Sequence, residues 1–246
     1  MQIEISNCIT VKEYTEDLLA WCYKYLILDN PEYHKKKNMG LWLGNTPSHI
    51  SLYAVDGDTL YLPFGCLNHV WQTYKNTCQF ERKIAEIRHV FYNSHIELYG
   101  YQEKAVESAL RAKNGVIVMP CGAGKTQTAL ELIARIGGKC LWLTHTYELL
   151  NQSMSRAKET LGISKDTYGT ITDGKVNIGT GITFATVQTM AKLDLAQYRD
   201  TWDIIIVDEC HRAIGSPTKI MQFYKVLSNL SCRYKYGVTA TPKRAD

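Results

Sequence analysis

The sequence predicts an α/β protein in which a parallel sheet carries helices on both faces, preceded by a small α+β domain. Two observations carry this. From about residue 97 onward, short apolar runs alternate with amphipathic stretches, strand then helix then strand, as parallel strands with crossover helices require. Upstream of about residue 93 the texture changes: Tyr, Trp, His and Asn are frequent and no such alternation holds. The expected division is residues 1–93 as the small domain and residues 94–246 as the large one.

Taken in order, residues 1–11 read as a strand and residues 13–28 as a helix, with Leu18, Leu19, Trp21, Cys22 and Tyr25 among its apolar positions. Asn30-Pro31 ends that helix, and a basic loop follows with Tyr33, His34, Lys35, Lys36 and Lys37. Residues 50–54 and 59–62 flank Asp56-Gly57, a hairpin with a tight turn. Residues 65–74 suit a helix and residues 81–90 a strand or connector. Beyond them, residues 101–112, 126–136 and 147–161 are expected as helices. Residues 115–119, 139–144, 182–186, 204–208 and 236–240 are expected as strands. Residues 168–182, rich in Gly and Thr, read as a hairpin or loop.

With 246 residues, 45% of them hydrophobic, the chain can fill one large or two modest cores. The net charge of +4 points only weakly to a nucleic-acid partner. No run of about 18 apolar residues offers a membrane span. The first 14 residues lack a basic segment followed by an apolar one, so no signal peptide is expected. Eight scattered cysteines without a C-x-x-C pair fit free thiols in a reducing cytoplasm.

Two motifs carry chemistry. After the strand at 115–119 come Pro120, Cys121, Gly122, Ala123, Gly124, Lys125 and Thr126, then a helix. A loop at such a junction aims backbone N–H groups and the positive end of a helix dipole into one small space, which polyphosphate needs. Gly122 and Gly124 let the backbone approach, Lys125 suits the β- and γ-phosphates, and the Thr126 hydroxyl suits Mg²⁺. The strict phosphate-loop pattern has glycine where Met119 stands. Later, the apolar run 204–207 ends in Asp208 and Glu209, followed by Cys210 and His211. In a parallel sheet, ligands sit at the carboxyl ends of strands. Asp208 is therefore expected beside the loop, holding Mg²⁺, with Glu209 orienting and deprotonating the attacking water. His211 is expected to link the γ-phosphate site to its surroundings.

Together these motifs resemble superfamily-two helicases and translocases, in the xeroderma-pigmentosum-B-like and phage UvsW-like branch. The phosphate loop looks like motif I, and Asp208-Glu209-Cys210-His211 is a D-E-C-H form of motif II. Thr239-Ala240-Thr241 looks like motif III, which in the family couples hydrolysis to strand movement. Residues 143–152, with Thr144, His145 and Thr146, are similar to motif Ia. Residues 184–190, with Thr186, Gln188 and Thr189, are similar to the Ib region. The order and spacing hold across about residues 97–246. Gln102 falls where the family places a glutamine that reads the adenine edge, and Tyr99 stands where many relatives carry Arg. Residues 60–65, after Gly40-Leu41-Trp42, are similar to the small N-terminal domain of the phage proteins.

The resemblance implies a first RecA-like domain that binds ATP and Mg²⁺, with DNA, single-stranded or branched, as partner. Thr144, His145, Thr146, Thr186, Gln188 and Thr189 are the expected phosphate contacts. Lys35, Lys36 and Lys37, near Tyr33 and Trp42, offer a basic, stacking-capable contact in an accessory DNA-binding domain. A second RecA-like domain would complete the ATP site. Because the sequence stops at residue 246, just after motif III, the expectation is a motor half that turns ATP over poorly alone. The competing readings are the motor of a restriction or defence complex, an RNA helicase, and a DNA-binding module that uses ATP only as a switch.

Overall fold

The computed structural model of the chain describes residues 1–213 and 217–241, so the five residues that close the sequence lie outside it. The first 82 residues form β1 (Gln2–Ile5), β2 (Cys8–Lys12), α1 (Glu16–Tyr25), β3 (Ile27–Asp29), α2 (Pro31–Asn38), β4 (His49–Ser51), β5 (Ala54–Asp56), β6 (Thr59–Pro63), α3 (Leu67–Tyr74) and β7 (Gln79–Arg82). Five of the strands make a sheet in the order β5-β6-β2-β1-β7, and β3 pairs with β4 in a separate ribbon. One face of the sheet supplies Ile3, Ile9, Val11, Leu60 and Leu62, which bury against Leu18 and Cys22 of α1 and Val70 of α3. The expected turn at Asp56-Gly57 is present, with Asp56 opposite Thr59, but the first arm of the hairpin is Ala54–Asp56. Residues 50 and 51, expected in that arm, belong to His49–Ser51, which pairs with β3 instead.

Two further expectations fail here. Residues 1–11 are not one strand but two, β1 and β2, paired antiparallel about Ser6-Asn7. The apolar residues Ile3, Ile5, Ile9 and Val11 keep a period of two straight through the turn, which hides it from a pattern reading. The basic loop is also no loop. Asn30 caps α2 by accepting hydrogen bonds from the backbone N–H groups of Glu32 and Tyr33, and Pro31 occupies the first helical position, where a missing N–H costs nothing. The Asn-Pro pair starts a helix rather than ending one. Consecutive helical residues point about 100° apart, so the three lysines fan out. Lys36 is held 3.0 Å from Glu32 and donates to Thr46 at 2.9 Å.

The rest of the chain forms α4 (Gly100–Ala112), β8 (Asn114–Val118), α5 (Lys125–Ile136), β9 (Cys140–Thr144), α6 (Tyr147–Leu161), β10 (Tyr168–Thr172), β11 (Lys175–Asn177), β12 (Ile182–Thr186), α7 (Val187–Met190), β13 (Ile204–Asp208), α8 (Pro217–Asn229) and β14 (Tyr234–Thr239). The sheet order is β11-β10-β12-β9-β13-β14-β8, parallel throughout except for β11. The α/β fold class read from the sequence is borne out. Strand β13 shows why: Ile204 and Ile206 face one core with Ile133, Trp142 and Phe184. Ile205 and Val207 face the other, with Leu141, Leu143 and Phe223. A strand buried on both faces has no need of polar alternation. The Gly- and Thr-rich stretch is a hairpin of β10 and β11, turning through Asp173 and Gly174 at φ of 50° and 76°. Helix α8 was not anticipated.

Between the two sheets, residues 83–99 run as an irregular strap, tied by Val90 N–H to the Gly137 carbonyl and by His95 N–H to that of Thr160, both at 2.8 Å. The β1–β2 turn reaches the large sheet directly. The Asn7 amide donates to the Ser228 carbonyl, and its oxygen accepts from Arg199 at 3.1 Å. Lys235 of β14 donates to the carbonyls of Leu227 and Leu230, both at 2.9 Å, and of Asn7 at 3.4 Å. Because β8, β14, β13, β9 and β12 run parallel, their carboxyl ends share one rim, and every predicted motif of the large sheet opens there.

Candidate active site

The phosphate-loop sequence leaves β8 and enters α5. Gly122 and Gly124 hold φ of 78° and 76°, a conformation that side chains disfavour, and Gly124 is the N-cap of α5. Pro120, Cys121 and Ala123 fill the remaining turn. The loop is braced from α4: Gln102 Nε2 donates to the Ala123 carbonyl at 2.9 Å, and Tyr101 donates to the same oxygen at 3.2 Å. Gln102 Oε1 accepts from Tyr99 N–H at 2.8 Å, closing a capping box at the start of α4. Gln102 is 1% exposed, so both ends of its amide are spent on the protein. The rings facing solvent beside it are Tyr99 and Tyr101, stacked with centroids 5.9 Å apart. Among the described residues Lys125 Nζ has one hydrogen bond, to the Pro120 carbonyl at 3.5 Å.

Asp208 and Glu209 arrive from the end of β13. A single cavity of about 770 Å³ is lined by Gly122, Lys125 and Thr126 on one side and by Asp208 and Glu209 on the other. Asp208 is buried and accepts from Glu209 N–H at 3.0 Å and from the Ser153 hydroxyl at 3.3 Å. Burial, then the adjacent Glu209 carboxylate, push its carboxyl above the usual range, while the Lys125 ammonium pulls it back. Glu209 itself sits at φ of 51°, rare for a residue with a side chain. His211 Nδ1 lies 3.1 Å from Glu209 Oε2 and 2.8 Å from Thr239 Oγ1. Thr239 Oγ1 in turn donates to the Thr241 carbonyl and accepts from Thr241 N–H, each at 3.1 Å, folding Thr239, Ala240 and Thr241 into a tight turn. A threonine hydroxyl and one or two carboxylates are hard oxygen donors of the kind magnesium takes together with phosphate oxygens. Among the described residues no group of three or more His, Cys, Asp or Glu forms a cage for a softer metal.

The sequence reading missed one wall of this cavity. Helix α6 lines it with Gln152, Ser153, Arg156 and Glu159. The polar spacing 152, 156, 159 puts three of these on one helical face, a signal that was available. Further along the rim, Thr144 and Thr186 pair across β9 and β12. Thr144 is fully buried and donates to the Thr146 carbonyl at 3.1 Å, so it shapes the turn instead of presenting a hydroxyl to solvent. Thr146 caps α6, Gln188 donates to the His145 carbonyl at 2.9 Å, and Thr186 and Thr189 hydroxyls lie 2.9 Å apart. Lys35, Lys36 and Lys37 belong to α2, and among the described residues none bonds to the large sheet.

The family described as "Type III restriction enzyme, res subunit" (ResIII) matches residues 95–244. The chain belongs to the ResIII family. It is 33% identical over 152 residues to the DNA 3'-5' translocase XPB2 of Sulfurisphaera tokodaii, covering 61% of this chain and 32% of that protein. It is 29% identical over 153 residues to the DNA 3'-5' helicase XPB of Kineococcus radiotolerans, covering 59% and 26%. The chain thus spans about a third or less of the length of these curated relatives. The UvsW helicase of bacteriophage T4 shares the fold, at a TM-score of 0.68 with 18% identity, over 98% of this chain and 93% of that one. This likeness reaches beyond the ResIII match to the N-terminal sheet. The resemblance drawn from the motifs, to superfamily-two helicases of the XPB and UvsW type, is borne out. Among the described residues no helix is long and apolar enough to cross a membrane.

Proposed function

We propose that the chain is part of an ATP-driven DNA helicase or translocase of the DExH type, acting in repair, recombination or fork processing. Residues 94–246 are its first RecA-like domain and residues 1–93 an accessory DNA-binding domain. The observation that carries the reading is the shared cavity, in which the phosphate loop faces the acidic pair.

In this reading the triphosphate of ATP lies along the N–H groups of residues 122–126, where the α5 dipole favours negative charge. Lys125 neutralises the β- and γ-phosphates. Thr126 and Asp208 would hold Mg²⁺, which when bound supplies positive charge against the phosphate oxygens. Glu209 accepts a proton from the attacking water, and its side chain is aimed by His211 at 3.1 Å. The exposed Tyr99 and Tyr101 rings offer adenine a stacking surface, with Gln102 holding the loop behind them. Thr239 and Thr241 carry changes at His211 into β14. A second RecA-like domain closes the site with arginines, a contribution worth about 10³–10⁵ in rate. DNA crosses the rim on His145, Thr146, Thr186, Gln188 and Thr189 through phosphate contacts that carry little sequence information.

The test is ATP hydrolysis by a form of the protein that includes the second domain, measured without nucleic acid and with single-stranded DNA, branched DNA or RNA. Stimulation by DNA, lost in Lys125→Ala, is the expected result. Stimulation by RNA alone, or hydrolysis indifferent to nucleic acid, contradicts the proposal.

A further inference from the structure

A second cavity, of about 670 Å³, opens where the N-terminal sheet meets the α4–β8 turn. Phe64, Trp71, Phe80 and Arg82 line it from the N-terminal side, Lys113 and Asn114 from the other, and no acidic side chain is among its walls. Trp71 is 45% exposed and braced by Phe80, whose ring centroid lies 4.7 Å away at a steep angle. Neither Arg82 nor Lys113 has a side-chain hydrogen bond or ion pair to another described residue. We propose that this cavity binds an unpaired nucleobase of single-stranded nucleic acid, stacked on Trp71 with its flanking phosphates met by Arg82 and Lys113. The inference rests on the motor reading above and adds a base contact to a path otherwise made of phosphate contacts.

The backbone at Lys113 strengthens the case. Helices α5 and α6 end in a left-handed residue, and in both it is glycine, Gly137 at φ of 64° and Gly162 at φ of 60°. Helix α4 ends in the same conformation with Lys113, at φ of 63°. A side chain is unfavourable there and glycine is the ordinary solution. Lys113 sets a cation at the mouth of the cavity at a cost in backbone energy. The chemistry of the walls is selective as well. Aromatic rings stack on any base, and two unpaired cations beside them suit a polyanion. The cavity lies at the start of β8, at the opposite end from the phosphate loop, about 15 Å away along the strand. A strand held there is engaged away from the rim.

The experiment compares binding of a labelled oligo-dT with that of an abasic strand of equal length and charge, by fluorescence anisotropy on the 246-residue chain. Rim contacts go to phosphates, so they do not distinguish the two strands. Stacking predicts that the wild-type chain prefers oligo-dT by about 5- to 150-fold. Trp71→Ala removes the preference, and Trp71→Phe retains most of it. Lys113→Gly relaxes the backbone, so it does not fail by misfolding; it weakens both strands and lowers the salt slope by about 0.7. An abasic penalty equal in wild type and Trp71→Ala overturns the site, as does a polyglutamate peptide that competes as well as oligo-dT. If Thr146→Ala and Gln188→Ala weaken binding while Trp71→Ala does not, the site fails and the motor reading stands. If the wild-type chain binds neither nucleic acid nor Mg·ATP, both fall.

Discussion

His211 Nδ1 sits 2.8 Å from the Thr239 hydroxyl and 3.1 Å from the Glu209 carboxylate, so a single ring nitrogen joins the acid proposed to orient water to the turn that ends β14. That nitrogen carries at most one hydrogen, and the two oxygens compete for it. Glu209 and Thr239 thus share one partner atom.

Replacing Thr239 by valine keeps the shape of this buried side chain and removes the hydroxyl that both His211 and Thr241 use. A lost buried hydrogen bond is worth about 1–3 kcal/mol. In a two-domain form, kcat for DNA-stimulated hydrolysis should fall by about 5- to 150-fold while KM for ATP changes little. Steady-state kinetics reads the split, and an equal loss in ATP affinity with unchanged kcat would contradict it.

The two loop glycines should not be equivalent. Both need a left-handed backbone, but a Cβ on Gly122 meets open space, whereas one on Gly124 clashes with Gln102 Nε2. Gly122→Ala should cost about 1–2 kcal/mol from conformation alone. Gly124→Ala should cost more, and adding Gln102→Ala should recover the excess. Urea denaturation of the single and double variants measures this coupling.

Lys235 is half-buried, its ammonium donates to three carbonyls and, among the described residues, meets no carboxylate, and desolvation holds its pKa below the ordinary 10.5. Between the folded value and 10.5 the unfolded chain binds the extra proton, so unfolding free energy should rise with pH across that window. Below it, both states are protonated and the dependence vanishes. Lys235→Met should abolish this slope and leave the Asn7 and Leu227 carbonyls without their donor, making the link between the sheets easier to cleave. Denaturation at several alkaline pH values and limited trypsinolysis test both effects, and a slope that survives in Lys235→Met excludes this assignment.

The parts legible in the sequence were those fixed by local chemistry. The phosphate loop announces itself because few residues tolerate its backbone, and β13 because a strand buried on both faces must be apolar throughout. Parts set by tertiary contacts were not legible. The β1–β2 turn is invisible because the apolar period continues across it. The start of α2 looks like a stop until the Asn30 cap is seen. The motif places Gln102 at the adenine edge, and its bonds to Tyr99 and Ala123, which brace the loop, have no signature in the sequence. Arg156 was legible by its spacing from Gln152 but carried no motif. The cavity beside Trp71 has walls far apart in sequence, so no local pattern could have flagged it.

Lys125 and Asp208 line opposite sides of one cavity, and the proposed function sets a magnesium triphosphate between them. Crystals of the chain grown with Mn²⁺ and a non-hydrolysable ATP analogue test it through the anomalous signal of the metal. A single strong peak between the Thr126 hydroxyl and the Asp208 carboxylate, with the triphosphate over residues 122–125, is the expected result. A nucleotide bound elsewhere, or a metal peak remote from Asp208, would contradict it.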